Sequence, residues 1–171
     1  MSPIRLPEDR PLRIAFVCTG NICRSPLAEA LARHHLHAAG LGGRIAVDSY
    51  GTHDYHVGQG ADRRTVATAK RFGIDLDGHR ARQVTPRVLR DTDLVFAMDS
   101  GHYDILHRML PGGRLDHVHL FLPWAGLSPP IDVPDPYCGG EDGFVTVHRM
   151  LDEATRRLAA WLAGEPLRNH V

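Results

Sequence analysis

The chain has 171 residues, with 20 basic and 20 acidic side chains, so its formal charge is zero with histidine neutral. That balance excludes a strong general affinity for nucleic acid or anionic membrane, while the 12 histidines turn the charge positive at mildly acidic pH. No apolar run is long enough to cross a bilayer, Met1 to Pro11 lacks the apolar centre of a signal peptide, and the odd set Cys18, Cys23 and Cys138 makes no disulfide framework.

In chain order, 1–11 is expected to be a flexible lead-in, 12–164 one domain and 165–171 a tail. Leu12–Val17 is short, branched and followed by a glycine-containing loop, which predicts a buried strand. Pro26–Ala39 predicts a helix with proline in its first turn and Gly40 at its end. Arg44–Ser49 is expected as a second strand and Ala61–Phe72 as a helix stopping at Gly73. A short helix is expected at Pro86–Arg90, then a third strand at Asp93–Ala97. Asp99 or Ser100 caps a helix to Leu110. Leu115–Phe121 is the expected fourth strand, and 123–138 a proline-rich loop. Phe144, Val147, Leu151, Ala154, Leu158 and Leu162 alternate spacings of three and four, the mark of an amphipathic helix. The alternation implies a three-layer α/β fold, a doubly wound four-stranded parallel sheet with helices on both faces. Ligands on such sheets bind beyond the C-terminal strand ends, where the loop after Val17 falls.

That loop, Cys18-Thr19-Gly20-Asn21-Ile22-Cys23-Arg24-Ser25-Pro26, carries the chemistry. Successive backbone N–H groups and a following helix N-terminus make an anion cradle. Arg24 can grip two phosphate oxygens in a planar fork. Gly20 relaxes the backbone, and Asn21 tolerates a left-handed conformation. The same dipoles and Arg24 favour the thiolate of Cys18, with Ser25 able to donate to it. The loop lacks the Gly-Lys-Ser/Thr ending of a nucleoside-triphosphate site. Displacement at phosphorus also needs an acid for the leaving oxygen, and the proline-rich loop offers Asp132 and Asp135. Asp135 is restricted by Pro134 and Pro136. His34, His35 and His37 have poor spacing for one metal site and suit a helix C-terminus instead.

The loop together with Asp135-Pro136-Tyr137, in that order and separation, resembles the low-molecular-weight protein tyrosine phosphatase family. Asp48-Ser49 and Ala81-Arg82-Gln83 match as well. The resemblance implies that Cys18 attacks phosphorus to form a phosphocysteine while Asp135 protonates the phenolate, then acts as base for water. Arg24 and the amides of Thr19, Gly20, Asn21, Ile22, Cys23 and Ser25 hold the phosphoryl oxygens. Asn21, Ser25, Ser49 and His79 match positions that keep the loop in shape. Tyr55 and Tyr137 match the aromatic walls of the substrate pocket, and Cys23 a thiol that protects Cys18 from over-oxidation. Departures from the family pattern are Tyr50 and Gly51, His102 where asparagine is common, and Cys138 where a second tyrosine is frequent.

No cofactor and no metal are implied. The implied partners are phosphotyrosine-containing proteins, tyrosine kinases included, with no nucleic acid, no membrane, a monomer or weak dimer, and a cytoplasmic location. Three alternative functions draw on the same residues. Arsenate reduction needs further resolving cysteines, and none lies between Cys23 and Cys138. Arginine phosphatases tend to carry threonine where this chain has Ile22. A non-catalytic phosphopeptide-binding module needs neither Cys18 nor Asp135.

Overall fold

The computed structural model describes residues 4–137 and 139–167, so Cys138 lies outside the described residues. Among the described residues four strands, β1 (Leu12–Cys18), β2 (Ile45–Gly51), β3 (Leu94–Ala97) and β4 (Val118–Leu120), alternate with six helices. These are α1 (Arg24–Ala38), α2 (Arg63–Arg71), α3 (Pro86–Asp91), α4 (Ser100–Met109), α5 (Phe121–Trp124) and α6 (Glu141–Leu162). The sheet is parallel throughout, in the order β2-β1-β3-β4.

Successive strand side chains point to opposite faces, and the two faces have separate cores. Leu12, Ile14, Phe16 and Cys18 of β1 join Leu27 and Leu31 of α1 and Leu151 and Leu158 of α6. Val17 points the other way, to Val95 of β3, Leu89 of α3 and Leu106 of α4. Burial is therefore continuous from Ile14 to Cys18, as a central strand covered on both faces requires, whereas β2 at the edge alternates buried and half-buried residues. Phe16 stacks on Phe96 at 5.6 Å and meets the edge of Phe121 at 5.1 Å, tying the sheet to α5. The chain leaves β1 toward β2 on one side and later returns to β3 on the other. The loops after β1 and β3 diverge there, opening a crevice at the strand ends.

Several boundaries differ from the sequence expectation. Helix α1 begins at Arg24, not Pro26; the proline stays within the first turn, where its missing N–H has no partner to lose. Strand β2 extends to Gly51, because pairing with β1 continues to Cys18 opposite Gly51. Helix α2 starts at Arg63, fixed by the Asp62 side chain accepting from the Arg64 N–H. The fourth strand is only Val118–Leu120, and Phe121 turns instead into α5, inside the stretch expected to be strand end and loop. Within the expected flexible lead-in, Ile4 and Leu6 pack on the core, and Arg10 grips Asp93 with bonds of 2.7 and 2.9 Å. Leu167 of the expected tail also packs on the core. Among the described residues no helix is long and apolar enough to cross a membrane.

Gly51 ends β2 where two backbones nearly touch: a Cβ there would lie 2.7 Å from the Thr19 carbonyl oxygen and 3.0 Å from that of His53. Neither can yield as a side-chain tip would. Gly51→Ala is expected to lower the urea midpoint by the equivalent of roughly 1–3 kcal/mol, read from equilibrium unfolding.

Candidate active site

The loop between β1 and α1 is organised by Asn21, which is fully buried and has a φ of 57°. Its Nδ2 donates to Ser25 Oγ at 2.8 Å and to Ser49 Oγ at 2.9 Å. Its Oδ1 accepts from the Arg82 N–H at 2.9 Å, and its backbone carbonyl lies 2.6 Å from His79 Nε2. Burial pushes the His79 pKa down, so a neutral ring donates from Nε2. Ser49 and His79 thus sit directly on the loop, as does the backbone of Arg82. Ser25 Oγ lies 2.9 Å from Cys18 Sγ and 3.3 Å from the Tyr50 carbonyl. Ser25 has one hydroxyl proton, and Asn21 fills one lone pair. Once Cys18 is a thiolate, that proton is drawn to sulfur, the stronger acceptor at this shorter distance.

Helix α1 starts with no side-chain cap and no acidic residue in its first turn. Its N–H groups and partial positive charge are therefore uncompensated at the loop. Arg24 is almost wholly buried, 3% exposed. One of its terminal nitrogens, Nη1, donates to Asp99 Oδ2 at 2.8 Å and to the Val133 carbonyl at 3.0 Å; the other, Nη2, is 3.5 Å from Asp135 Oδ2. Burial works against the charge of Asp99, but the His102 N–H, the His102 ring and Arg24 outweigh it and hold the carboxyl below the usual range.

The two acid candidates separate. Asp132 accepts from the Ser100 N–H at 2.8 Å and from Ser100 Oγ at 3.1 Å, at the start of α4. Asp135, about half exposed, accepts from the Tyr137 N–H at 3.0 Å with one oxygen and turns the other toward Arg24. A cleft of about 150 Å³ brings Cys18, Thr19, Gly20, Ile22, Cys23 and Arg24 together with Asp135, Tyr55, His56 and Tyr137. Tyr55 stacks on His53 at 4.8 Å, and Arg64 holds the Tyr137 carbonyl at 2.7 Å. A larger depression of about 710 Å³ beside α3 and the end of α4 contains no thiol. Cys23 is a poor nucleophile where it stands: burial pushes its thiol up to about 12.

Asp99 as the partner of Arg24, and with it His56, Arg64 and the Val133 carbonyl, joins the site only in three dimensions. In the sequence His102 is no more than a departure from the family pattern. Asp99 and His102 were legible as a capping pair three residues apart. Their contacts to the loop, across long stretches of chain, had no local signal.

Residues 13–168 match the family model described as low molecular weight phosphotyrosine protein phosphatase. A low molecular weight protein-tyrosine-phosphatase of Streptomyces coelicolor is 45% identical over 86% of this chain and 92% of that protein. The crystal structure of YfkJ from Bacillus subtilis superposes with a TM-score of 0.84 at 35% identity, covering 90% of this chain and 96% of that one. YwlE arginine phosphatase, in a form with a phosphorylated active site serine, gives a TM-score of 0.79 at 32% identity over 88% and 95% of the two chains.

Asn21 can be tested by separating conformation from hydrogen bonding. Asn21→Gly and Asn21→Ala should both lower phosphatase kcat, and Ala should be the less stable by roughly 1 kcal/mol, because only glycine accepts the positive φ freely; chemical denaturation and steady-state rates check both. A second expectation concerns acid. Burial lowers the pKa of His79, His102, His119 and His148, that of His102 from 6.5 to about 4. The unfolded chain binds these protons first, so stability is full above about pH 6.5 and is lost as pH falls toward 4. Glu29, pushed up by burial, opposes this as a single group. Urea midpoints at pH 7.5 and 4.5 should show the drop.

Proposed function

The chain belongs to the low molecular weight phosphotyrosine protein phosphatase family and is a protein-tyrosine-phosphatase, and from that premise we propose how its own residues perform the hydrolysis. The observation that carries the reading is the convergence of Cys18, Arg24 and Asp135 on one cleft walled by Tyr55 and Tyr137. The phosphoryl oxygens take the N–H groups of Thr19 to Ser25 and the free edge of Arg24. The Cys18 thiolate attacks phosphorus from beneath, a bond forms between sulfur and phosphorus, and the bond to the aryl oxygen breaks. Asp135 delivers its proton to that oxygen as tyrosine leaves. The Asp135 carboxylate then removes a proton from water as the water attacks phosphorus, releasing inorganic phosphate and the thiolate. Arg24 is already aimed by Asp99 and Val133, so little reorganisation accompanies the change of charge.

Ile22 lines the cleft and supports an aryl substrate over a guanidino one, since an apolar floor and two tyrosine walls suit a phenyl ring. The substrates in this reading are phosphotyrosine proteins, tyrosine kinases included. A cytoplasmic location fits a nucleophile that must stay reduced.

Cys18→Ser should abolish turnover of p-nitrophenyl phosphate in the folded protein. Asp135→Ala should lower kcat by about 10²–10⁴-fold on phosphotyrosine and by less on p-nitrophenyl phosphate, whose phenolate leaves without a proton. Equal losses on the two substrates would remove Asp135 from the acid role.

Cys23 has a separate role in the same proposal. Peroxide oxidises the Cys18 thiolate to the sulfenic acid. The Cys23 sulfur then bonds to it while its proton and the sulfenic hydroxyl leave as water, and an added thiol reduces the disulfide. Activity after peroxide and then thiol should return in wild type and fail to return in Cys23→Ala; equal recovery would exclude the guard.

A further inference from the structure

The histidine at 102 ties the nucleophile's loop to the carboxylate that aims Arg24. Its side chain is 4% exposed, and each of its polar atoms is engaged. The backbone N–H donates to Asp99 Oδ1 at 3.0 Å. The ring Nδ1 lies 3.2 Å from the Asp99 N and 3.1 Å from Asp99 Oδ1. Nε2 lies 2.8 Å from Thr19 Oγ1. The ring and the Thr19 hydroxyl share one hydrogen bond, and whichever of them donates, it ties the loop to the Asp99 cap.

We propose that His102 is a positioning residue of the reaction: through Thr19 on one side and Asp99 on the other, it holds the residue following Cys18 in register with the carboxylate of the Arg24 ion pair. The inference rests on the phosphatase reading above. Arg24 and Cys18 leave different elements, and the Arg24 guanidinium is fixed from α4 through Asp99. A loop free to shift against α4 would change the distance between sulfur and the guanidinium, and small misplacements are costly in displacement reactions. Charged groups around the ring pull both ways. Asp99, Asp132 and Asp135 favour a proton on it, whereas burial and Arg24 oppose one.

Three substitutions split the ring's functions. His102→Asn keeps an acceptor for the Asp99 N–H and loses the partner of Thr19; Thr19→Val removes the other end of the same bond; Thr19→Ser retains it. His102→Asn and Thr19→Val should each lower kcat about tenfold, with KM little changed, the worth of one buried hydrogen bond realised in the transition state. The double variant should be no worse than either single one, and Thr19→Ser should lose less kcat than Thr19→Val. Nitrogen-15 NMR should show the His102 Nε2 resonance shifted in Thr19→Val relative to the wild type, as loss of its hydrogen bond requires. Losses that multiply in the double variant, wild-type kcat in both single variants, or an Nε2 resonance that Thr19→Val leaves unmoved would each overturn the proposal. If wild type itself fails to turn over p-nitrophenyl phosphate, the phosphatase reading falls and the positioning role falls with it; an active wild type with unaffected variants defeats the positioning role alone.

Discussion

A single buried asparagine in a left-handed conformation shapes everything that happens at this site. The loop turns sharply between β1 and α1, and the positive φ of Asn21 adds a cost of about 1 kcal/mol. The Asn21 side chain offsets that with bonds to Ser25, Ser49 and Arg82. It draws on three elements, so the loop is anchored to the sheet edge and to the 79–82 segment as well as to its own helix. A buried network of this kind is all or none, since removing one member strands the others without partners. The loop is therefore formed before substrate arrives, and binding need not order it.

Charge is arranged by the same logic. Cys18 and Cys23 are the same residue type on one short loop, but their surroundings assign them different chemistry. Cys18 faces Ser25 Oγ and the open start of α1; Cys23 is sealed between Thr65 and the apolar cluster of Ile22, Ala81 and Phe144 and stays protonated. Arg24 is nearly buried, a position tolerable for a cation only because Asp99 and the Val133 carbonyl meet it. These partners occupy one edge of the guanidinium and leave the other toward the cleft and Asp135. The sheet topology makes the meeting possible: β1 and β3 are neighbours, so the loops that follow them carry Cys18 and Asp99 to one crevice.

What was legible in the sequence was local. The strand, the glycine-asparagine loop and the proline-started helix announced themselves by spacing, and the Asp135 segment by its flanking prolines and its family likeness. Asp99 was readable as a helix cap but not as the partner of Arg24, because that contact joins residues far apart in sequence. The flanking prolines and the family likeness set Asp135 apart from Asp132, and the start of α4 captures Asp132. Phe121 belonged to an apolar run that reads as strand, yet the fourth strand ends at Leu120 so that Phe121 can pack edge-on against Phe16. Tertiary packing overrode local propensity there. The lead-in composition gave no sign that Ile4, Leu6 and Arg10 would find partners on the domain.

In the proposed reaction the Cys18 sulfur takes the phosphoryl group inside a loop already shaped to receive it. Rapid quenching of Asp135→Ala with p-nitrophenyl phosphate, whose phenolate leaves without a proton while hydrolysis still lacks its base, followed by mass spectrometry of the loop peptide, tests this most directly. The predicted result is a phosphoryl group on Cys18 that accumulates before inorganic phosphate appears. Phosphate release with no modified Cys18 at any time, or a phosphoryl group on another residue, would contradict the account.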